Sequence, residues 1–542
     1  MTTQRLKQSI FRLLLVRGTG LFTVGGIVLS ALTVCVPWLL GAFIDAIVRQ
    51  NAAVFIFILL TTTALSVALL DSLLKLLLTK LTRRLEIQLQ DKLLDQFCQL
   101  TPSEIDKYRV GEIGMKFFRD VPNCSMFLRD FYPQILSTVF SVLFALIAAF
   151  YSNWVIGAVF LLTLPIQILI VLPYKSKYSK FNHLYRKIND YGFNRIFEFF
   201  HVFPFLKSQA AEEPYKETPQ SQLRRIADFS LRKNQFDIHF SLVLRLLTFL
   251  GEYSVLGTAG FLAWNGTIPV GQVVFYQGLF LSVLNSFSGF FRLLPMWENI
   301  QESVVSMNEL LCSNSVENDS DKKKAPVMSG SIEIRDVTFR YKNSDRDVLS
   351  HFSEFIPAGS LVAIEGKNGA GKTTALKLLT AYMEPTSGEI LFDGQPLAEL
   401  NKASVRCQIG VVFQEFLLIT GTMLQNVTLK NKEYSPNDID NAVNLSCLDT
   451  ALARFPEGLE HKIGFDGGNL SGGECQKLAI ARALIRQPRI LVLDEVMNHL
   501  DRDSKNKIKD LLLSLHGKIT VLLVSHDQEI ISLCDKVISL DR

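Results

Sequence analysis

Over long stretches this 542-residue chain has no charge at all, and that absence constrains it more than any residue it contains. No Asp, Glu, Lys or Arg occurs in the 27 residues between Arg17 and Asp45, the 21 between Arg49 and Asp71, the 44 from 131 to 174, or from Tyr253 to Phe291. A bilayer crossing needs about 20 such residues, so the pattern excludes an ordinary water-soluble domain over this half of the chain. Charge imbalance is also small. The 56 basic and 52 acidic residues leave a formal +4, which gives no argument for nucleic-acid binding. Cysteine is sparse. Cys35, Cys98, Cys124, Cys312, Cys407, Cys447, Cys475 and Cys534 show no metal-ligand spacing, and all but Cys35 fall in segments read below as cytoplasmic, where thiols stay reduced. A cleavable signal peptide is not expected, because the apolar run after Arg5, Lys7 and Arg12 is far longer than a signal core and no small-residue cleavage site follows.

What is present is 48% hydrophobic residues, gathered into six expected spans at about 18–44, 50–74, 131–151, 154–174, 238–264 and 271–293. The third and fourth meet near Tyr151-Ser152-Asn153, and the turn-forming Asn265-Gly266-Thr267-Ile268-Pro269-Val270-Gly271 separates the last two. Lys75, Lys80, Arg83, Arg84, Lys92, Lys175, Lys177, Lys180, Arg186 and Lys187 crowd the connections 75–130 and 175–236, whereas the short loops hold only Arg49. The positive-inside rule then puts those connections, both termini and everything after residue 293 in the cytoplasm, making this a multi-pass protein of the cytoplasmic (inner) membrane. The two connections mix apolar and charged residues at helical spacing and contain no strand-like alternation, so they are expected as helical hairpins extending beyond the bilayer.

The expected membrane domain is residues 1–312. A polar stretch from Ser313 to Lys324 reads as part of a flexible linker, 313–330. From 331 to 542 short Val/Ile/Leu-rich runs at 361–364, 409–413, 490–493 and 521–524 alternate with helical segments, predicting an α/β domain with a mostly parallel sheet.

That second domain carries the chemistry. Gly366-Lys367-Asn368-Gly369-Ala370-Gly371-Lys372-Thr373-Thr374 follows an expected strand and opens a helix, which is the context of a phosphate-binding loop. Glycine lets backbone N–H groups curl around phosphate, the helix N-terminus adds partial positive charge, Lys372 reaches the β and γ phosphates, and Thr373 can ligate Mg²⁺. Downstream, the apolar Ile490-Leu491-Val492-Leu493 ends in Asp494-Glu495. Asp494 is suited to hold Mg²⁺ through its water shell and Glu495 to polarise the attacking water. Between them, Leu470-Ser471-Gly472-Gly473-Glu474 opens another helix, a second place where a hydroxyl and glycine amides face an anion.

Taken together these motifs resemble the ATP-binding cassette family, whose signature is LSGG followed by Gln or Glu ahead of the acidic strand. The resemblance implies that Ser471, Gly472, Gly473 and Glu474 serve ATP held on the other cassette of a dimer. It further implies that Tyr341 stacks on adenine, that Gln414 senses Mg²⁺ and the attacking water, that His526 contacts the γ-phosphate, and that Asp501 couples the two sites. Gly464-Phe465-Asp466-Gly467 resembles the exporter segment that touches the cytoplasmic helices, and Tyr108 to Gly114 resembles an exporter hairpin. The chain departs from the family at Asn498-His499, where Ser-Ala is commoner, at Glu474-Cys475, where Gln-Arg is commoner, and in stopping soon after the His526 strand. No departure removes a phosphate, metal or water-activating group.

The expectation is a half-transporter of the exporter type: a six-helix membrane domain with long cytoplasmic extensions fused to a P-loop NTPase, dimerising with a second copy of itself and using MgATP to move an amphipathic or hydrophobic small molecule, lipid or peptide by alternating access. A heterodimer and an ATP-gated membrane regulator are the rival readings. No peptidase-like segment is expected before the spans. Glu252, Arg245, Gln277 and Asn285 are the polar residues at membrane depth; Glu252 faces either a cavity or a neighbouring helix.

Overall fold

The computed structural model describes residues 18–540 apart from 51, 109, 314, 318, 320, 342, 343, 345, 368, 415, 432, 465–468, 497–501 and 526. The chain divides into two compact units, one from residues 1–100 and 108–314, the other from 101–107 and 315–542.

The first unit is helical. Its long helices are α1 (Thr19–Val48), α2 (Ala53–Cys98), α3 (Tyr132–Ser152), α4 (Trp154–Ser208), α5 (Glu212–Trp264) and α6 (Val270–Leu311), one for each expected span. By length and composition Thr19–Val48, Ala53–Cys98, Gly111–Ser152, Glu212–Trp264 and Val270–Phe287 can each cross a membrane, and α4 begins with the shorter apolar segment Trp154–Thr163. The junction of α3 and α4 is a single residue. Asn153 is extended there, and its side chain accepts the Val155 N–H at 3.0 Å, capping α4.

Helices α4 and α5 have 55 and 53 residues, or roughly 80 Å each at 1.5 Å per residue, far more than a hydrocarbon core of about 30 Å needs. They pack along one another around a three-residue turn, 209–211, so the expected hairpin is present as helix throughout. Helix α2 extends likewise. Beyond its apolar half, Leu74, Leu78, Leu81, Leu85, Leu89 and Leu93 form one buried stripe at helical spacing, while Lys75 and Asp71 pair on the exposed side. The chain returns through a helical stretch interrupted by π-helical turns at Lys116–Asp120 and Phe127–Phe131. There the buried Lys116 donates to the Ser306 hydroxyl at 3.0 Å, and the buried Asp120 accepts from Ser303 at 3.2 Å, fastening the return segment to α6.

Hydrophobic burial gives little drive between helices in lipid, so close approach at small residues matters more. Ala145, Ala149 and Ala259 let α3 and α5 close on the Phe160, Phe275, Tyr276 and Phe280 rings. At the other crossing Gly41 meets Gly271: a Cβ on Gly271 would stand 2.1 Å from the Gly41 carbonyl oxygen. Asp45 accepts the Gly271 N–H beside it, at 2.7 Å. Glu252, half-buried, accepts from Gln277 at 3.3 Å, a polar contact between α5 and α6. Arg245 has no such burial and is exposed.

Among its described residues the second unit holds two main sheets, of five and four strands, and two short two-stranded ladders. Strands β1 (Ile332–Phe339), β2 (Leu349–Ile356), β4 (Ser387–Phe392) and β5 (Gln395–Pro396) form an antiparallel sheet in the order β2-β1-β4-β5 that the apolar runs do not foretell. Strands β3 (Leu361–Glu365), β6 (Ile409–Val412), β7 (Ile490–Asp494), β8 (Thr520–Val524) and β9 (Lys536–Ser539) form the expected parallel sheet, ordered β9-β3-β8-β7-β6. One core fills the space between the sheets and takes in α7 (Lys372–Leu379), and the other lies under α8 (Met423–Thr428) and α9 (Gly472–Leu484).

The stretch expected to be a flexible linker is instead tied to this unit, a correction with a clear physical reason. Glu317 makes a bidentate pair with Arg406 at 2.8 and 2.6 Å, Asp319 accepts the Lys402 N–H at 2.7 Å, and Lys323–Lys324 pair in parallel with Leu400–Asn401. Met328 is buried, and Asp393 accepts from the backbone and hydroxyls of Ser329 and Ser331 at 2.5–2.9 Å. Polar composition here signals neither freedom nor exposure, since Asp319 is buried and Glu317 partly so.

Candidate active site

Parallel strands deliver their C-terminal ends to one edge of the sheet, where an α/β fold gathers its ligand-binding groups. At the end of β3 the chain turns through Gly366 into α7, with Gly369 and Gly371 at φ +86 and +95. The turn is closed by the Ala370 N–H bonding the Lys367 carbonyl at 3.0 Å. A side chain at Gly371 would meet Val348 Cγ1 at 3.0 Å and its carbonyl at 3.2 Å, so only glycine fits both the angle and the space. Lys372, nearly buried, folds back to donate to the Gly366 carbonyl at 2.6 Å and lies within 3.4 Å of that of Lys367. A phosphate entering the loop offers that ammonium a stronger, charged acceptor.

Strand β7 ends beside the loop. Asp494 is only 3% exposed; burial pushes its carboxyl up, the neighbouring Glu495 adds to this, and the Lys372 charge and a hydrogen bond from Thr373 offset part of it. The Asp494 carboxylate and the Thr373 hydroxyl are oxygen ligands suited to a hydrated divalent cation between protein and phosphate, and such a cation would offset the burial that disfavours the ionised carboxylate. Glu495 follows at φ +52, the left-handed region, its N–H held by the Val524 carbonyl at 3.1 Å. Such strain, of order 1–3 kcal/mol, persists where surroundings impose it. Gln414, just beyond β6, donates its amide to Glu495 Oε2 at 3.0 Å. Tyr341 is half-exposed, packs edge-on against Phe339, and shares a hydrogen bond with the Thr374 hydroxyl at 3.1 Å. The fold thus brings Gly366, Gly369, Ala370, Gly371, Lys372, Thr373, Thr374, Tyr341, Gln414, Asp494 and Glu495 together.

The signature residues form a separate cluster. Ser471 caps α9 in a reciprocal box: its N–H and hydroxyl both donate to Glu474 Oε2 at 2.8 Å, and its Oγ accepts the Glu474 N–H. Gly472 and Gly473 form the first turn. Glu474 is buried, which alone would push its carboxyl up, but the Ser471 bonds and the Arg454 and Lys477 charges prevail and hold it below the ordinary range. Arg454, whose Nη1 lies 2.6 Å from Glu474 Oε1, is a residue the motif does not mark. The signal for it was a carboxylate where the family prefers an amide, since a buried charge requires a counter-charge. Asn368, Asp501 and His526 lie outside the described residues, as do Phe465, Asp466 and Gly467 and the Asn498-His499 departure.

Comparison with known proteins agrees with this geometry. The family model of the ABC transporter transmembrane region matches residues 19–287, and that described as ABC transporter matches residues 349–498. The chain is 28% identical to the alpha-hemolysin translocation ATP-binding protein HlyB of Escherichia coli O157:H7 over 85% of its own length, spanning 65% of that protein. It is 26% identical to the ATP-dependent lipid A-core flippase of Xylella fastidiosa, covering 83% of this chain and 76% of that one. With the cyclolysin secretion/processing ATP-binding protein CyaB of Bordetella pertussis it shares 26% identity over 95% of its length and 72% of the relative's. In fold it resembles a bacterial Atm1-family ABC exporter solved with ATP bound, at TM-score 0.84 and 22% identity, over 97% of this chain and 94% of that one. The chain belongs to the ABC transporter family, as a multi-pass membrane region fused to an ATP-binding ATPase cassette.

Proposed function

We propose that the protein hydrolyses MgATP as a dimer, and that this drives export of an amphipathic or hydrophobic substrate, lipid-like or peptide, across the cytoplasmic membrane. The observation that carries this is the division of one chain's nucleotide chemistry into two clusters. The loop, Asp494, Glu495 and Gln414 form one, and the Ser471 helix start forms another whose described bonds run to Glu474 and Arg454. Two copies facing each other complete two sites. His526 and Asp501 belong to the same scheme through the family pattern, and the basic connections favour a cytoplasmic cassette.

The residues divide the work. Loop amides and Lys372 hold the β and γ phosphates, Tyr341 holds the base, and Thr373, Asp494 and Gln414 would hold Mg²⁺, which when bound neutralises charge on the phosphates. Glu495 accepts a hydrogen bond from the attacking water and takes its proton, while Gln414 keeps the carboxylate aimed. Ser471 and the amides of Gly472 and Gly473 donate to the γ-phosphate of nucleotide on the partner copy, so hydrolysis removes the anion that joins the cassettes. The long hairpins carry that closing and opening to the spans.

Relatives named for lipid A-core flipping and for toxin secretion favour an amphipathic cargo. The test is ATP-dependent uptake of lipid and peptide probes into inside-out vesicles, alongside ATPase stimulation by the same probes. Uptake abolished by Glu495→Gln supports a pump. Function that persists in that variant points to an ATP-gated regulator and sinks the proposal.

A further inference from the structure

Family pattern leaves one pair of charges at the signature unassigned. Ser471 has a single hydroxyl proton, and it points at Glu474 Oε2, 2.8 Å away. The same oxygen also accepts the Ser471 N–H, so the carboxylate fixes the serine twice over. Glu474 is 6% exposed, and its other oxygen is held by Arg454 at 2.6 Å. A glutamine would hold the serine without charge, whereas a glutamate sets a full negative charge beside the place where a polyphosphate must dock. Arg454 comes from outside α9, just after the short helix Leu448–Leu452, and its side chain is 69% exposed.

We propose that Arg454 is a positioning residue for ATP binding at the signature. By neutralising Glu474 and holding its Oε1, it keeps Oε2 on the Ser471 N–H and frees the serine hydroxyl to turn from Oε2 to the γ-phosphate of nucleotide bound to the facing copy, alongside the helix amides. This rests on the dimeric reading above. Loss of the guanidinium leaves Glu474 as a buried, unpaired charge next to the incoming anion, so binding suffers through repulsion, and removing the carboxylate removes the defect. A merely structural arginine would give no such rescue.

The test uses the full-length protein in lipid and compares Arg454→Gln, Arg454→Lys, Glu474→Gln and Arg454→Gln combined with Glu474→Gln. An uncompensated unit charge beside a phosphate in solvent-screened surroundings predicts that Arg454→Gln raises the KM for MgATP roughly fivefold to tenfold. The rise shrinks in high salt. Arg454→Lys keeps the charge and most of the affinity. In the Glu474→Gln background, losing Arg454 changes KM by less than about twofold, the mark of coupling between the two positions. A wild-type KM in Arg454→Gln, or a combined variant as far above its Glu474→Gln parent as Arg454→Gln is above wild type, overturns the proposal. Ser471→Ala separates this from the dimeric reading: if it leaves kcat/KM unchanged, that reading fails, and if it lowers kcat/KM while Arg454→Gln does nothing, only the role of Arg454 fails.

Discussion

Replacing Glu495 by glutamine isolates its chemistry from its structural role. The residue sits at φ +52, which costs any side chain bearing a Cβ about 1–2 kcal/mol, and the cost is the same for Glu and Gln and so cancels. Its N–H bond to the Val524 carbonyl, at 3.1 Å, belongs to the backbone and survives. The Gln414 amide, 3.0 Å from Glu495 Oε2, can still donate to the carbonyl oxygen of a glutamine. Stability should therefore change by less than about 0.5 kcal/mol. Hydrolysis loses its proton acceptor, a step typically worth about 10²–10⁴-fold, or roughly 2.7–5.4 kcal/mol of barrier at 1.36 kcal/mol per decade. Melting in lipid, nucleotide binding and steady-state phosphate release should then read unchanged, unchanged or tighter, and lower by at least about a hundredfold. Glu495→Gly completes the experiment, since it also lacks the carboxylate but relieves the backbone angle; it should be as inactive as the glutamine variant, and more stable. Turnover above about a tenth of wild type in Glu495→Gln would refute the assignment, because a carboxylate replaceable by an amide is not taking the proton.

Three further outcomes follow from particular contacts. Tyr341→Ala should raise the KM for ATP about tenfold, given roughly 1–3 kcal/mol for a base on an aromatic ring, while Tyr341→Phe loses only the hydroxyl contact with Thr374 and should stay within about twofold. Gly271→Ala puts a Cβ against the Gly41 carbonyl, which cannot swing aside, and displaces the Asp45 bond; it should lower thermal stability in lipid by an overpacking cost of about 1–3 kcal/mol, whereas Gly257→Ala, with open space around it, should not. Asp393→Asn tests the docked linker. Burial alone would raise this carboxyl, but bonds from Ser329 and Ser331 prevail and hold it below the usual 3.8, so its contribution is present above that value and is lost as pH falls through the folded value. The variant should be about 1–2 kcal/mol less stable near neutrality, with the gap to wild type closing as pH falls below the usual carboxylate value toward the lower folded one; a gap independent of pH would show that the ionised form is not what binds the linker.

Those predictions also mark where the sequence was readable and where it was not. The spans were legible because a bilayer excludes charge from every residue of a crossing, and the phosphate loop because its glycines, lysine and threonine stand adjacent in the chain. The helical hairpins were legible for a related reason: α4 and α5 are bonded internally, so their form depends on local residues alone. Contacts between distant residues left no such trace. Glu317 and Arg406 are 89 residues apart, and Asp393 reaches back more than 60 residues to the serines it holds, so a polar run looked free although Glu317 and Asp319 in it have partners far along the chain. The antiparallel sheet was missed for the complementary reason, since β2 exposes alternate residues and its apolar content is too diluted to stand out.

Arg454 illustrates both limits at once. A motif match reports residue types at fixed spacing, so LSGG followed by Glu passes as a tolerated variant of LSGG followed by Gln. Physical chemistry does not treat the two alike: an amide needs no counter-ion when buried, and a carboxylate does. A buried carboxylate at position 474 demands a basic residue nearby, although nothing local says which. Arg454, Lys462 and Lys477 all lie within twenty residues, and only folding selects the guanidinium whose Nη1 reaches Oε1. The departure from a family pattern was therefore the informative part of the motif. It implied a partner that the conforming residues never need, and the double substitution at positions 454 and 474 measures whether the two depend on each other.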